Sequence, residues 1–173
     1  VCVLKACGTV RNLDKGQEIH GKIVEEEFEK EVFVGNSLID MYAKCGSLIG
    51  AQEVFDELLS RDIVSWNTLI AGYIDHGLIV EGLERFEKMQ LEDKIFPNAV
   101  TYVAILKACH SNFGSVFPTL KSCNHDNVLP ISIFQGIHIE ATKKSFEIHP
   151  FVGSALIDLY TKFCLLSEAQ YVF

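Results

Sequence analysis

The sequence predicts an all-α fold in which short helical hairpins stack into a solenoid. The main observation is internal repetition: VFVGNSLIDMYAKCGSLIGAQEVF (32–55) aligns without a gap on PFVGSALIDLYTKFCLLSEAQYVF (150–173), with 13 of 24 positions identical. A second repetition links VCVLKACG (1–8) to VAILKACH (103–110). Each repeat has the apolar spacing of two amphipathic helices, and a single hairpin is too small to bury its own apolar face. Repeats at this scale therefore predict a stacked array.

The boundaries of the repeats follow from recurring local patterns. EVFVGNSLI and DIVSWNTLI both place an acidic residue before a β-branched first helical residue, and NAVTYVAIL and HPFVGSALI fit the same frame. These patterns predict complete units at 32–62, 63–98 and 99–149, a partial unit at 1–31 and a truncated unit at 150–173.

The unit 99–149 is longer than its neighbours. Cys7 and His20 are 13 residues apart in the first unit, whereas the matching Cys109 and His138 are 29 apart, which indicates 16 added residues. The composition places this insertion roughly within 113–134, where Asn, Gly and Pro predict a surface loop between two helices. The stretch is apolar for a loop, and we hypothesise that it is foreign to the ancestral repeat.

Two units show the helical pattern most clearly. In the unit 32–62, apolar spacing predicts two helices separated by a left-handed stop at Gly46, with Ser47 as the N-cap of the second helix. The unit 63–98 repeats this arrangement around Gly77. The predicted buried faces comprise Leu38, Ile39, Tyr42, Leu48, Ala51, Val54, Phe55 and Leu58 in one unit, and Trp66, Leu69, Ile70, Tyr73, Val80, Leu83, Phe86 and Met89 in the next.

Composition excludes several classes of function. The 173 residues are 49% hydrophobic, but no run of about 18 uncharged apolar residues predicts a membrane span. The net charge of −8 argues against nucleic-acid binding driven by a basic surface.

Val1 and Phe173 both fall inside predicted helices, so we expect the natural chain to extend beyond both ends.

The six cysteines favour small apolar helix positions over a disulfide framework. Cys7 and Cys109 occupy the same repeat position, and Cys45 corresponds to Phe163. The only candidate metal cluster comprises Cys109, His110, Cys123 and His125. It lacks the paired CxxC or HxxxH spacing of zinc sites. Neither a phosphate-binding glycine loop nor an oriented nucleophile is recognisable, so we expect no metal, no cofactor, no small-molecule substrate and no catalysis.

Three segments identify a family. DIVSWNTLIAGY (62–73), NAVTYVAILKAC (98–109) and FVGNSLIDMYAKCG (33–46) closely resemble the pentatricopeptide repeats of plant organelle RNA-binding proteins. The unit lengths of 31, 36 and, without the insertion, 35 residues resemble the subclass that mixes long, short and ordinary repeats. A tetratricopeptide array would show a Trp-Leu-Gly-Tyr pattern that this chain lacks. The resemblance implies a right-handed α-solenoid and a location in the mitochondrion or chloroplast.

The resemblance also implies a mode of recognition, in which each unit faces one unpaired base of single-stranded RNA. The fifth and last residues of a unit read the base, and the second residues of adjacent units sandwich it. Asn36 with Asp62 is a pair that the family associates with uridine. Asn67 with Asn98 is associated with a pyrimidine, more often cytidine. The implied sandwiching residues are Phe33, Val64, Val100 and Phe151.

Other code positions are weak or silent. Val103 with His149 gives no code because valine cannot hydrogen-bond a base, and Val1 with Glu31 is equally silent. Ser154 occupies a fifth position whose partner lies beyond the sequence. Each asparagine, taken alone, fits a helix cap or a turn bond just as well. Asn36 and Asn67 recur at the same position of the motif, and this recurrence favours a role in reading bases.

The implied function is the recognition part of a protein of organelle RNA processing or C-to-U editing. Its partners would be single-stranded RNA containing pyrimidines, together with editing or processing factors. Editing itself needs an H-x-E…C-x-x-C zinc deaminase motif, which this sequence lacks, so the chain is not expected to be an enzyme. Two alternatives stay open, a helical scaffold for protein partners and a degenerate fragment without activity.

Overall fold

The computed structural model describes residues 1–28, 31–111, 128–146 and 148–162, with four single positions further on, 165, 169, 170 and 172. These residues form nine α-helices and no strand. The helices are α1 (Cys2–Val10), α2 (Leu13–Glu25), α3 (Val32–Lys44), α4 (Leu48–Glu57), α5 (Ile63–Asp75), α6 (Ile79–Leu91), α7 (Ala99–Ser111), α8 (Val128–Lys143) and α9 (Pro150–Lys162). None of these described helices is long and apolar enough to cross a bilayer. The chain divides into two compact units, Val1–Phe96 and Pro97–Phe173, which are described separately.

The unit Val1–Phe96 consists of three successive hairpins, α1–α2, α3–α4 and α5–α6. The first helix of the middle hairpin, α3, packs against both α1 and α5, so the first helices form one row. Leu38 and Ile39 of α3 and Leu69 of α5 are completely buried in this row. Burying one such side chain stabilises the fold by about 1.5–3 kcal/mol. The predicted helix-hairpin fold is therefore confirmed.

The turns inside the hairpins follow the prediction only partly. Gly46 and Gly77 adopt left-handed φ angles of 85° and 78°, as expected of helix stops that favour glycine. Ser47 lies at the N-cap of α4, but its side chain makes no capping hydrogen bond. The first turn of α4 is thus uncapped by a side chain.

The predicted buried face of α6 is wrong at one position. Val80 is 56% exposed, while Ile79 is 5% exposed and belongs to the core. Ile79 and Phe86 are seven residues apart, which is close to two helical turns, and both face inward. Because neighbouring β-branched residues differ by about 100° around a helix, only one of them shares the face of Phe86.

Tyrosines on the first helices join successive repeats within this unit. The hydroxyl of Tyr42 on α3 lies 2.8 Å from Nδ1 of His20 on α2. One repeat further on, the hydroxyl of Tyr73 on α5 donates to Oε1 of Gln52 on α4 at 3.2 Å. The guanidinium of Arg85 lies over the ring of Tyr73 at 4.7 Å. Each tyrosine therefore bonds the second helix of the preceding hairpin.

The unit Pro97–Phe173 repeats this arrangement with α7, α8 and α9. Helix α7 packs against α9, and its Tyr102 and Leu106 are completely buried, as is Leu156 of α9. The hydroxyl of Tyr160 on α9 lies 2.6 Å from Nδ1 of His138 on α8. The His–Tyr contact between α2 and α3 thus recurs between α8 and α9.

The insertion departs from the predicted loop at its C-terminal end. Helix α8 begins at Val128, so residues 128–134 are helical. Pro130 is the third residue of α8, within the first turn, where backbone N–H groups have no partner inside the helix and a proline breaks no hydrogen bond. The remaining predicted loop, 112–127, lies outside the described residues, as do Cys123 and His125 of the metal-ligand candidate that its spacing argued against.

Candidate functional site

Each predicted sandwiching residue is the second residue of a first helix and is exposed. Phe33, Val64, Val100 and Phe151 follow the first residues of α3, α5, α7 and α9, and their exposed fractions are 70%, 51%, 62% and 72%. Large apolar side chains at matching positions form a set of accessible surfaces. Such surfaces suit stacking against the faces of nucleic-acid bases.

Two predicted base-reading residues are joined by a hydrogen bond. Asn36, the fifth residue of α3, donates from Nδ2 to Oδ1 of Asp62 at 3.2 Å. An ionised carboxylate only accepts hydrogen bonds, so the amide must turn its NH₂ group toward Asp62. The Oδ1 atom of Asn36 is buried and has no partner among the described residues. The pair therefore fixes the orientation of one buried acceptor.

Asp62 also caps the helix that follows it. Its Oδ1 accepts the backbone N–H of Ser65 at 2.8 Å and the Ser65 hydroxyl at 2.9 Å. The Asp62 N–H donates back to the Ser65 Oγ at 3.2 Å, which completes a capping box at the start of α5. Partial burial raises the pKa of Asp62, but the hydrogen bonds from Ser65 and Asn36 together lower this pKa below its usual value. The carboxylate therefore stays ionised at neutral pH.

The same box recurs at the start of α7. Oδ1 of Asn98 accepts the Thr101 N–H and the Thr101 hydroxyl, both at 3.1 Å, and the Asn98 N–H donates to Thr101 Oγ1 at 3.1 Å. Asn67 is half-buried on α5 and belongs to Val1–Phe96, whereas Asn98 belongs to Pro97–Phe173. Their pairing stays a prediction.

A cleft of about 340 Å³ lies between α7 and α9. Its lining consists of Val103, Leu106, Lys107, Phe151, Ser154, Ala155 and Asp158. The structure thus brings together Val103, Ser154 and Phe151, which the sequence marked separately. His149 lies beside this region, with its ring centroid 5.9 Å from that of Phe151 and its buried Nδ1 without a partner among the described residues. The mainly apolar walls suit a flat ring better than a charged group.

Sequence reasoning missed the two hydroxyl residues of the capping boxes. Ser65 and Thr101 were not singled out, although both are almost completely buried and bond the last residue of the preceding predicted unit. The signal was available in the spacing, because Asp62 and Asn98 are each followed by a hydroxyl residue three positions later. This spacing is typical of a helix N-terminus.

Successive hairpins with exposed residues at matching positions define an α-helical repeat protein. A sequence model described as the PPR repeat matches residues 36–63, and one described as the PPR repeat family matches residues 61–111. The chain belongs to the pentatricopeptide repeat family.

Its relatives include two Arabidopsis thaliana proteins. The chain is 38% identical over 173 residues to a chloroplastic pentatricopeptide repeat-containing protein, covering 100% of the chain and 25% of the relative. It is 35% identical over 171 residues to a mitochondrial one, covering 99% and 24%. The chain thus spans about a quarter of the length of these curated relatives.

Two solved structures have a similar fold. The pentatricopeptide repeat protein PPR10 from maize matches with a TM-score of 0.65 at 19% identity, covering 98% of this chain and 22% of the maize chain. The structure of PPR10 in complex with an 18-nt psaJ RNA element matches with a TM-score of 0.63 at 21% identity, covering 91% and 21%. This likeness shows the helical-repeat fold.

Proposed function

We propose that this chain binds single-stranded RNA containing pyrimidines, with one base per repeat, as the recognition part of an organellar protein. The observation that carries the proposal is the Asn36–Asp62 hydrogen bond, 3.2 Å long, on repeats that begin with the exposed Phe33 and Val64. The RNA complex of maize PPR10 and the chloroplastic and mitochondrial relatives support it.

The hydrogen-bonding pattern at Asn36 favours uridine. Its buried Oδ1 needs a donor, and an unsatisfied buried acceptor costs about 1–3 kcal/mol. The uracil N3–H group is such a donor. Cytosine carries an acceptor at N3, so it would face the Asn36 oxygen with a like group. An ionised Asp62 keeps this polarity fixed, because the Asn36 amide cannot turn over without losing its bond to the carboxylate.

The expected affinity of this chain alone is weak. If each read base contributes about 1–3 kcal/mol, as good base contacts do elsewhere, the two predicted coding pairs give about 2–6 kcal/mol. A binding free energy of about 4 kcal/mol corresponds to a millimolar Kd. The net charge of −8 adds little phosphate attraction. Since the chain spans about a quarter of its relatives, further repeats would supply the remaining affinity.

The role that fits this recognition is selection of a transcript for RNA processing or C-to-U editing. The alternation of repeat lengths supports the mixed-length subclass, in which recognition and chemistry belong to separate domains. In this proposal the chain positions RNA, and processing or editing factors act on it. No residue of this chain is assigned a catalytic step.

The test is an NMR titration of the 173-residue chain with short single-stranded RNAs. We expect an oligomer carrying uridine followed by cytidine to bind at least several-fold tighter than one with purines at both places. Asn36→Ala and Asn67→Ala should remove this preference, while Gln17→Ala, an exposed change on α2, should not. Equal binding of all oligomers by a folded chain would refute the proposal and favour the protein scaffold.

A further inference from the structure

The two capping boxes occur in front of the helices that follow the predicted coding units. Ser65 bonds Asp62, the last residue of the unit 32–62, and Thr101 bonds Asn98, the last residue of the unit 63–98. We propose that Ser65 and Thr101 are positioning residues for base selection, because each holds the last residue of the preceding unit in one rotamer and so fixes the orientation of its polar atoms. This inference rests on the proposed RNA binding.

At Asp62, the box determines how Asn36 is held. Oδ1 of Asp62 accepts three donors, the Ser65 N–H at 2.8 Å, the Ser65 hydroxyl at 2.9 Å and the Asn36 amide at 3.2 Å. Removing the Ser65 hydroxyl removes one of these donors and also the acceptor of the Asp62 N–H. The carboxylate then keeps the backbone N–H of residue 65 and the Asn36 amide as donors, so its rotamer, and with it the polarity of Asn36, is less firmly fixed.

At Asn98, the same box holds an amide in place of a carboxylate. Both the N–H and the hydroxyl of Thr101 donate to Oδ1 of Asn98, so the cap fixes the amide oxygen toward Thr101. Asp62 in the same place carries only acceptors, whereas an amide also carries donors. One hydroxyl position thus orients two chemically different side chains in the same way.

The units that are predicted to read no base lack a capping box after their last residue. Glu31, the last residue of the unit 1–31, makes no side-chain cap on α3, and the third residue of α3 is Val34. His149 is followed three residues later by Val152, which has no hydroxyl. A purely stabilising cap would be equally useful at the start of α3. The boxes instead accompany the residues predicted to read bases.

The test compares base selectivity with stability in the full chain. Ser65→Ala should bring the ratio of uridine to cytidine affinity at the Asn36 position to within about twofold of unity, less than 0.5 kcal/mol of discrimination. Ser65→Thr keeps the hydroxyl and should retain the ratio. Asn12→Ala is the matched control, because it removes a cap of similar geometry, the 3.0 Å bond from the Lys15 N–H, on α2. It should lower Tm without changing the ratio.

Three results would overturn the inference. A lower Tm with an unchanged ratio in Ser65→Ala would mean that the hydroxyl only caps α5. If this variant does not fold, Thr101→Ala gives an independent measurement in the other compact unit. An unchanged preference at the base assigned to Asn67 and Asn98 would count equally against the inference. A wild-type ratio near one, or one insensitive to Asn36→Ala, would overturn the proposed function together with this inference.

Discussion

The His–Tyr contacts of the two compact units are nearly the same, although the sequences leading to them differ in length. His20 Nδ1 and Tyr42 OH are 2.8 Å apart with ring centroids at 5.5 Å, and His138 Nδ1 and Tyr160 OH are 2.6 Å apart with centroids at 5.4 Å. The second contact follows the 16 added residues. Lengthening a connection costs little free energy compared with disturbing a packed interface, so register is kept where helices touch.

The helices that carry the histidines show where part of the added sequence goes. Helix α2 begins seven residues before His20, whereas α8 begins ten residues before His138, and both end five residues after their histidine. The extra residues of α8 are all at its N-terminal end. The insertion therefore extends a helix without changing the face that packs on the next repeat.

The largest effect should come from the matching core leucines of the two units. Leu38 and Leu156 are both completely buried, so Leu38→Ala and Leu156→Ala should each lower the free energy of unfolding by about 2–5 kcal/mol. Urea unfolding followed by circular dichroism measures this loss. If the loss at Leu156 is below about 1 kcal/mol, the second unit does not pack as the first does.

Removing residues 112–127 tests whether the insertion affects the stability of the fold. The deletion restores the 13-residue separation of Cys109 and His138 and leaves α8 and the His138–Tyr160 contact in place. Removing these 16 residues lowers the entropic cost of closing the connection between α7 and α8, so the free energy of unfolding should rise by up to about 2 kcal/mol. Thermal unfolding of the two chains checks this, and a lower Tm after deletion would indicate that the removed residues contribute to packing.

The two His–Tyr contacts should contribute equally. Tyr42→Phe and Tyr160→Phe keep the ring and remove the hydroxyl, so each should cost about 1 kcal/mol for the lost hydrogen bond. Paired denaturation curves measure both changes, with Tyr73→Phe as a third member of the series. A cost at Tyr160 that is smaller than the cost at Tyr42 by about 1 kcal/mol would show that the second contact is the weaker one.

The two capping boxes should contribute equally to stability at neutral pH and differ in their response to acid. Hydrogen bonds hold the folded-state pKa of Asp62 below its unfolded value, so its contribution is present above about pH 4 and is lost as the pH falls through the folded pKa. Asn98 does not titrate. Ser65→Ala and Thr101→Ala should each cost about 1 kcal/mol at neutral pH. On acidification the cost of Ser65→Ala should shrink and that of Thr101→Ala should not, as measured by urea unfolding between about pH 6 and pH 3.

The sequence was sufficient for the hairpins and most of the core because both depend on helical periodicity. Leu38 and Trp66 were predicted correctly from this pattern. The pattern failed at Ile79 and Val80, because either of these two adjacent β-branched residues could be assigned to the buried face. It also failed at Pro130, because composition predicted a loop although a proline in the first helical turn leaves all hydrogen bonds intact.

The candidate site was less accessible to sequence reasoning. Asn36 and Asp62 are 26 residues apart, and only the family resemblance paired them before the 3.2 Å contact was seen. The roles of Ser65 and Thr101 depend on side-chain rotamers, which no periodicity encodes. The cleft between α7 and α9 depends on the packing of two helices separated by the insertion.

Asp62 belongs chemically to two neighbouring repeats, because it bonds Asn36 of one and begins α5 of the next. A designer who exchanges whole repeats as interchangeable cassettes would therefore separate Asp62 from Ser65, and likewise Asn98 from Thr101. Cassettes cut after Ser65 and its equivalents would keep each capping box intact. Under the proposed RNA binding, the base preference of such an array would be changed by exchanging these junctions.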